Sequence, residues 1–255
     1  MYYCRFALPK YASDLLLLFD IDGTLVRRAG PHHRQALVDA VRAVTGLETT
    51  TEGIPVHGML DPDILARMLE REGFANGAIV AAMPAILREA EKVYEDICPD
   101  LRGKACPGAK RLLEDLNRHR VPCALVTGNL AKIAWKKLGC AGLAKYFAFG
   151  SFAGTAHTRT KLAANAIRRA RRLGLLHSGT KIWLVGDAPQ DVLAARGNQI
   201  QSIAVHTGVS SASDLGRLRP TLLLKDLTRL KVYRSVTGVL DLAASERDRA
   251  ANGRE

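Results

Sequence analysis

Residues 15–25 read LLLLFDIDGTL, and this stretch decides the fold. Its first five residues form an apolar run of strand length without polar alternation, which is typical of a strand buried on both faces of a parallel sheet. Asp20 ends the run, and Asp22-Gly23 is a turn signal. An ordinary turn with two exposed acids would read the same way. Two carboxylates facing one pocket need a cation to offset their repulsion, so the stretch also fits a metal-dependent site.

Later segments repeat the order of strand and then helix. Because this alternation is the pattern of an open α/β sheet, we predict a Rossmann-like core of parallel strands. Right-handed crossovers bring the carboxyl ends of the strands to one edge, where such sheets bind ligands. The further apolar runs are 121–126, 181–185, 202–205 and 221–224, with a β-like stretch at 146–150; the helical patterns are 107–118, 161–173 and 191–196.

A helical interval interrupts this alternation between the first two strands. Segments near 33–45, 62–72 and 78–97 have helical spacing, and Asp61-Pro62 predicts a helix start with Asp61 as N-cap. We therefore predict a small all-helical cap domain over residues 27–103. The core would comprise residues 1–26 and 104–255, ending in a polar, disordered tail at 245–255.

Further polar residues follow the predicted strands. Asp187 and Asp191 flank the end of the 181–185 run and the start of the next helix. These acids are unfavourable near Asp20 and Asp22 unless a hard cation binds, and oxygen ligands alone suit Mg²⁺. Taken by itself, Asp191 could equally be an N-terminal helix acid favoured by the helix dipole.

Phosphate-binding candidates follow the second strand and precede a later helix. Thr127-Gly128-Asn129 offers a hydroxyl and backbone N–H groups to phosphate oxygens, although such a turn is common. Arg159 and Lys161 lie at the start of the helix predicted near 161–173. Either could offset the clustered acids and the phosphate, and spacing leaves the choice between them open.

The order D-x-D-G-T, T-G-N, a basic residue and G-D-x-x-x-D resembles the haloacid dehalogenase-like hydrolase superfamily. The resemblance spans about residues 15–208, and the helical insert resembles the cap of the phosphoglycolate phosphatase-like branch, as does Gly58-Met-Leu-Asp61-Pro. It implies a phosphatase in which Asp20 attacks phosphorus and forms an aspartyl-phosphate. Asp22 would protonate the leaving group and then activate water, and its acidity favours phosphate esters over halides or phosphonates.

The resemblance also implies binding roles. Mg²⁺ would be held by the Asp20 carboxylate, the Asp22 backbone carbonyl and Asp187, while Asp191 orients metal-bound water. Thr127 and the Asn129 backbone would bind the phosphoryl group, together with the basic residue. Arg159 matches that position best, although the family more often has lysine there, and Lys161 stays an alternative.

Composition and charge narrow the possible partners and the cellular location of the protein. The chain is basic, with 37 Lys and Arg against 25 Asp and Glu, but its densest run, residues 168–172, has no interleaved aromatics and reads as a solvated helix face. This argues against nucleic acid and leaves a small phosphorylated metabolite as the partner. The five scattered cysteines indicate reduced thiols. No apolar run is long enough for a membrane span or signal peptide, so we expect a cytoplasmic protein.

Two other functions remain as alternatives. A phosphosugar mutase would return the phosphoryl group to substrate, and a basic binding protein would retain the fold without catalysis. In the predicted cap, His32, His33, His57 and Arg67 are candidates for substrate contact, although His32 and His33 equally fit a solvated loop. Trp183 is predicted to lie in the core.

Overall fold

A six-stranded parallel sheet forms the centre of the protein. The computed structural model describes residues 12–27 and 30–244. The strands lie in the order β3-β2-β1-β4-β5-β6, which confirms the predicted α/β architecture. Their bounds are β1 Leu15–Phe19, β2 Cys123–Val126, β3 Phe149–Ser151, β4 Lys181–Gly186, β5 Gln201–Val205 and β6 Leu222–Leu224.

Strand β1 lies between β2 and β4 and is buried on both faces. Phe19 pairs with Leu125 of β2 and Val185 of β4, so the three strands end at the same level. Leu15, Leu17 and Phe19 belong to one apolar cluster, whereas Leu16 and Leu18 belong to another on the opposite face. The uninterrupted apolar run is thus required by helices that cover both faces of the sheet.

Eight α-helices surround and extend this sheet within the described residues. The first three, α1 to α3, lie between β1 and β2 and form the helical insert, here called the cap helices. The bounds are α1 His32–Thr45, α2 Asp61–Arg71, α3 Asn76–Ile97, α4 Ala109–Arg118, α5 Ala131–Cys140, α6 Arg159–Arg172, α7 Pro189–Gly197 and α8 Ala212–Arg217.

The cap helices pack on one another and on the core. Leu37 and Val41 of α1 share a buried cluster with Ile86 and Ala90 of α3. The same cluster includes Leu130, at the start of α5, so apolar packing is continuous from the cap helices to the core. The exact domain boundaries, 27–103 against 1–26 and 104–255, stay predictions, and the tail at 245–255 lies outside the described residues.

Some elements differ from the sequence predictions. Helix α5 and an antiparallel hairpin of β7, Leu230–Arg234, and β8, Leu240–Ala244, were not predicted. The hairpin packs on α4, and its alternate residues are buried in the core. Trp183 is buried, as predicted. In the described ranges, no helix has the length and apolar character needed to cross a membrane.

Asp61 was wrongly predicted to cap α2. Leu60 occupies the N-cap position, and the helix has no side-chain cap hydrogen bond. The Asp61 carboxylate instead accepts a hydrogen bond from the Leu130 backbone N–H at 2.8 Å. The side chain therefore joins the cap to the core rather than capping its own helix.

Candidate active site

The turn after β1 brings two catalytic candidates to the carboxyl edge of the sheet. Asp20 follows β1 directly, and the backbone N–H groups of Leu25 and Val26 both donate to the Ile21 carbonyl, closing a tight turn. Gly23 has a φ of +82°, and a Cβ there would lie 2.3 Å from an Asp187 carboxylate oxygen. Glycine is therefore needed both for the turn and for the approach of Asp187.

Three carboxylates converge beneath this turn. Asp20, Asp187 and Asp191 offer oxygens that all lie within 4.8 Å of one another, and all three residues are buried. Burial, followed by the charges of Asp20 and Asp191, raises the pKa of Asp187 to about 9. Burial also raises the pKa of Asp191, to about 7, against the opposing charge of Arg159. The group therefore carries more negative potential than the protein alone neutralises.

Two oxygens of this group have no hydrogen-bond donor among the described residues. Thr24 donates to Asp187 Oδ1 at 2.9 Å, and the Ala188 N–H donates to Asp191 Oδ2 at 3.2 Å. Asp187 Oδ2 and Asp191 Oδ1 accept no hydrogen bond. Arg159 Nε and His57 Nε2 approach these two oxygens, at 3.4 and 3.6 Å, without forming hydrogen bonds. Buried carboxylate oxygens without donors are costly, so this group of three acids fits a hard divalent ion such as Mg²⁺.

Arg159 lies beside both Asp20 and Asp191. Its Nη1 donates to Asp20 Oδ1 at 2.8 Å and to the Val126 carbonyl at 3.0 Å, and its Nε lies 3.4 Å from Asp191 Oδ1. Lys161, two residues later on α6, is exposed and does not line the cavity above Asp20. Of the two cations that spacing left open, Arg159 is the one that reaches Asp20.

The turn after β2 lies beside Asp22. Thr127 is fully buried, and its Oγ1 accepts a hydrogen bond from the Asn129 side chain at 3.2 Å. The same Asn129 amide donates to Asp22 Oδ2 at 2.8 Å. The Gly128 carbonyl accepts the Asp61 backbone N–H at 2.8 Å, so this turn also contacts the cap.

Lys137 is a site residue that the sequence analysis missed. Its ammonium contacts both Asp22 carboxylate oxygens, at 2.7 and 2.8 Å, although the lysine is only 1% exposed. Burial alone would raise the pKa of Asp22, but the charge and the hydrogen bond of Lys137 hold that pKa at about 2. A signal existed in the sequence, since Lys137 lies four residues after Ile133 on the apolar face of α5.

A cavity of about 500 Å³ lies between these core residues and the cap. Of the four cap candidates, His33 and His57 line it, whereas His32 does not and Arg67 is exposed elsewhere. His57 lies 2.9 Å from Ser210 Oγ and 3.6 Å from Asp187 Oδ2, and burial lowers its pKa. The other cap residues that line the cavity include apolar side chains, Arg34 and the acid Asp61.

The family follows from a comparison with known proteins. A model of the haloacid dehalogenase-like hydrolases matches residues 15–198. The chain belongs to this family. The motif resemblance is therefore confirmed, and the protein is an enzyme of the hydrolase class. The match begins at the first residue of β1 and ends beyond Asp191, so it includes both acidic turns of the site.

Relatives of this haloacid dehalogenase-like hydrolase support its place in the phosphoglycolate phosphatase-like branch. It is 25% identical over 232 residues to the phosphoglycolate phosphatase of Pseudomonas fluorescens strain Pf-5, covering 90% of this chain and 81% of the relative. It is 24% identical over 235 residues to that of Vibrio parahaemolyticus, covering 84% and 93%. Both relatives carry the name expected of the phosphoglycolate phosphatase-like branch.

Solved structures share the fold at lower identity. A predicted phosphoglycolate phosphatase from Haemophilus somnus 129pt aligns with a TM-score of 0.60 and 19% identity, covering 84% of this chain and 94% of that one. A β-phosphoglucomutase from Clostridium difficile aligns with a TM-score of 0.61 and 20% identity, covering 85% and 92%. At these identities the likeness concerns the sheet and cap architecture alone.

Proposed function

We propose that this hydrolase is a magnesium-dependent phosphatase that cleaves a small phosphomonoester through an aspartyl-phosphate on Asp20. The observation that carries the proposal is the buried group of Asp20, Asp187 and Asp191, in which two carboxylate oxygens accept no hydrogen bond from the described residues. When bound there, Mg²⁺ would supply positive charge to the phosphoryl oxygens and offset the repulsion between the carboxylates. Asp20 and Asp187 would hold it directly, with the Asp22 backbone carbonyl, and Asp191 would orient a bound water.

In the first step, an Asp20 oxygen would attack phosphorus as the bond to the ester oxygen breaks. Arg159 holds the other side of the Asp20 carboxylate, which orients the attacking oxygen. Asp22 would give its proton to the departing oxygen. Asp22 is ionised when only Lys137 and Asn129 surround it, and the negative charge of a bound phosphate favours its protonation.

In the second step, water would attack the phosphorus of the aspartyl-phosphate and give a proton to Asp22. The bond between phosphorus and Asp20 then breaks, releasing inorganic phosphate and restoring the carboxylate. We propose that Thr127, Gly128, Asn129 and Arg159 bind the phosphoryl oxygens. Lys161 is not part of this proposal, because it is exposed outside the cavity.

We further propose that the substrate resembles phosphoglycolate, with the cap formed by residues 27–103 closing over it. The cavity of about 500 Å³ suits a small metabolite, and Arg27 and Arg34 at its edge offer positive charge to a carboxylate on the leaving group. The names of the curated relatives support this choice. A cytoplasmic location is part of the same proposal, because such phosphorylated metabolites are intracellular.

The test is release of inorganic phosphate from a panel of small esters with and without Mg²⁺. Asp20→Asn should abolish release and retain the thermal unfolding transition, and Asp96→Asn, at an exposed position, serves as the matched control. The best ester would identify the substrate class. Isomerised phosphosugar in place of free phosphate would instead identify a mutase. Folded wild-type protein that turns over no ester would refute the phosphatase proposal.

A further inference from the structure

Lys137 is a buried cation whose hydrogen-bond donors are all engaged. It lies on α5, and its Nζ contacts the Asp22 carboxylate, Asn129 Oδ1 at 2.7 Å and His33 Nδ1 at 3.0 Å. An ammonium has three N–H donors, so these three partners use all of them. The geometry around Nζ is therefore fully specified, unlike that of an exposed lysine on a flexible stem.

The same contacts determine the orientation of the neighbouring side chains. Because His33 Nδ1 accepts from Lys137, its Nε2 carries the proton and donates to Asp61 Oδ2 at 3.1 Å. Because Asn129 Oδ1 accepts from Lys137, its amide nitrogen is free to donate to Asp22. This pattern assigns one tautomer of His33 and one amide orientation of Asn129.

Asp22 is held from two directions by this network. Its side chain is 43% exposed to the cavity, yet Lys137 contacts both carboxylate oxygens and Asn129 contacts one of them. A carboxylate on a short side chain beside a cavity would otherwise sample several rotamers. The two core contacts restrict it to one.

The network also joins the cap to the core. His33 comes from α1 and Asp61 from α2, whereas Lys137 belongs to the core helix α5. Asp61 additionally accepts the Leu130 N–H at the start of α5. The contact that restrains Asp22 is therefore completed only when the cap helices lie against the core.

We propose that Lys137 is a positioning residue that aims Asp22 at the leaving-group oxygen, and that His33 completes this arrangement when the cap is closed. The proposal rests on the proposed phosphatase function, because it assigns Asp22 to leaving-group protonation. Lys137 contacts Asp22, and no contact joins it to Asp20, Asp187 or Asp191 in the described part of the chain. Its loss should therefore affect protonation of the leaving group more than the attack on phosphorus.

The competing explanation is a structural one, in which Lys137 only stabilises the fold. The two explanations predict a different dependence of kcat/KM on the leaving group. A nitrophenolate departs without a proton, whereas an alkoxide needs one, so mispositioning Asp22 should slow alkyl esters selectively. A general loss of folding or of phosphate binding would slow both esters by the same factor.

The experiment compares kcat/KM for p-nitrophenyl phosphate and for an alkyl phosphate in the presence of Mg²⁺. This parameter reports steps up to the first transfer of the phosphoryl group, so later hydrolysis does not obscure the comparison. The variants are Lys137→Met, His33→Ala and Asp22→Asn. Lys132→Met, at an exposed position on the same helix, is the matched control.

We expect Lys137→Met to lower kcat/KM for the alkyl ester by about 100-fold, the usual contribution of general acid catalysis, with only a small change for the nitrophenyl ester. Asp22→Asn should show the same selectivity, and Lys132→Met should match wild type. His33→Ala removes one acceptor from the ammonium and should show a smaller loss with the same preference. It keeps the test decisive if Lys137→Met does not fold.

Equal loss for both esters in every folded variant would overturn the positioning role while leaving the phosphatase function intact. Wild-type protein that hydrolyses neither ester would overturn the phosphatase function and this inference with it. The double variant that combines Asp22→Asn with Lys137→Met gives a further test. If its kcat/KM for the alkyl ester is no lower than that of Asp22→Asn alone, the inference is supported, because the two residues then act through one group.

Discussion

Gly128→Ala is a substitution whose effect can be worked out from backbone geometry. A Cβ at Gly128 would lie 2.2 Å from the Met59 carbonyl oxygen and 3.3 Å from the Leu60 Cα, both of which are backbone atoms. Its φ is not positive, so alanine itself is not strained there. The clash must therefore be relieved by separating the turn after β2 from the cap segment.

The loss in the free energy of unfolding can be worked out from that separation. Ordinary contact requires the two backbones to move apart by about 1 Å, at a typical overpacking cost of about 1–3 kcal/mol. The hydrogen bond from the Asp61 N–H to the Gly128 carbonyl, 2.8 Å long, would weaken and add about 1 kcal/mol. Lower entropy of the unfolded chain offsets about 0.4–1 kcal/mol. The net loss is about 1–3.5 kcal/mol, or about 2–14 °C in Tm for a chain of this size.

The assay combines thermal unfolding with kcat/KM for phosphate release. A displacement of about 1 Å between the cap and the catalytic turn should also lower kcat/KM by about 100-fold. Gly139→Ala is the matched control, because an added Cβ on this helical glycine would meet nothing within 4 Å, and alanine should stabilise the helix by up to about 1 kcal/mol. If Gly128→Ala behaves like Gly139→Ala in both measurements, the close approach of cap and turn does not exist in the working protein.

Three further predictions concern the charged groups of the site. Mg²⁺ at a hundred times its Kd should increase the free energy of unfolding by about 2.7 kcal/mol and so raise Tm. Asp187→Asn should abolish that rise. The same variant should stabilise the metal-free protein, because it removes a buried acid whose pKa is raised to about 9. In the presence of a chelator, Tm should fall as pH rises from about 5 to 9. Asp187 and Asp191 bind protons more tightly in the folded protein, and the stability that this binding provides is lost as pH rises through their raised pKa values. A Tm that is flat or rising over this range would contradict the raised pKa values. Arg159→Met should lower kcat/KM by about 100-fold or more. Arg159→Lys should retain part of the activity, because lysine keeps the charge near Asp20 but lacks the second nitrogen that lies near Asp191 Oδ1. Equal activity of the two variants would contradict this.

Much of the core could be predicted because its signals are local. A strand buried on both faces must be an apolar run, so residues 15–19 identify β1 without knowledge of its neighbours. Parallel topology then places the residues that follow each strand at one edge, which brings Asp20, Asp187 and Thr127 together. The basic residue of the site could be narrowed to Arg159 or Lys161 but not to one of them, because the direction of a side chain at a helix start depends on packing.

Other features had weaker local signals. The hairpin of β7 and β8 alternates buried and exposed residues, with Leu230 and Val232 buried and Lys231 exposed, and this period-2 pattern was overlooked. Asp61 has the local appearance of an N-cap, since it precedes proline at a helix start. Its actual partner, the Leu130 N–H, lies 69 residues away, and tertiary packing overrode the local preference.

Residues 15–25 were sufficient to indicate a buried strand, a carboxylate pair and the need for a cation, because each of these depends on neighbours in the chain. The environment of Asp22 was decided only by the tertiary structure. Lys137 lies 115 residues from Asp22 and 104 from His33, and no local pattern encodes which side chain will meet a buried ammonium. A lysine on the apolar face of a helix is costly unless distant acceptors converge on it, and only the folded arrangement of cap and core brings them there.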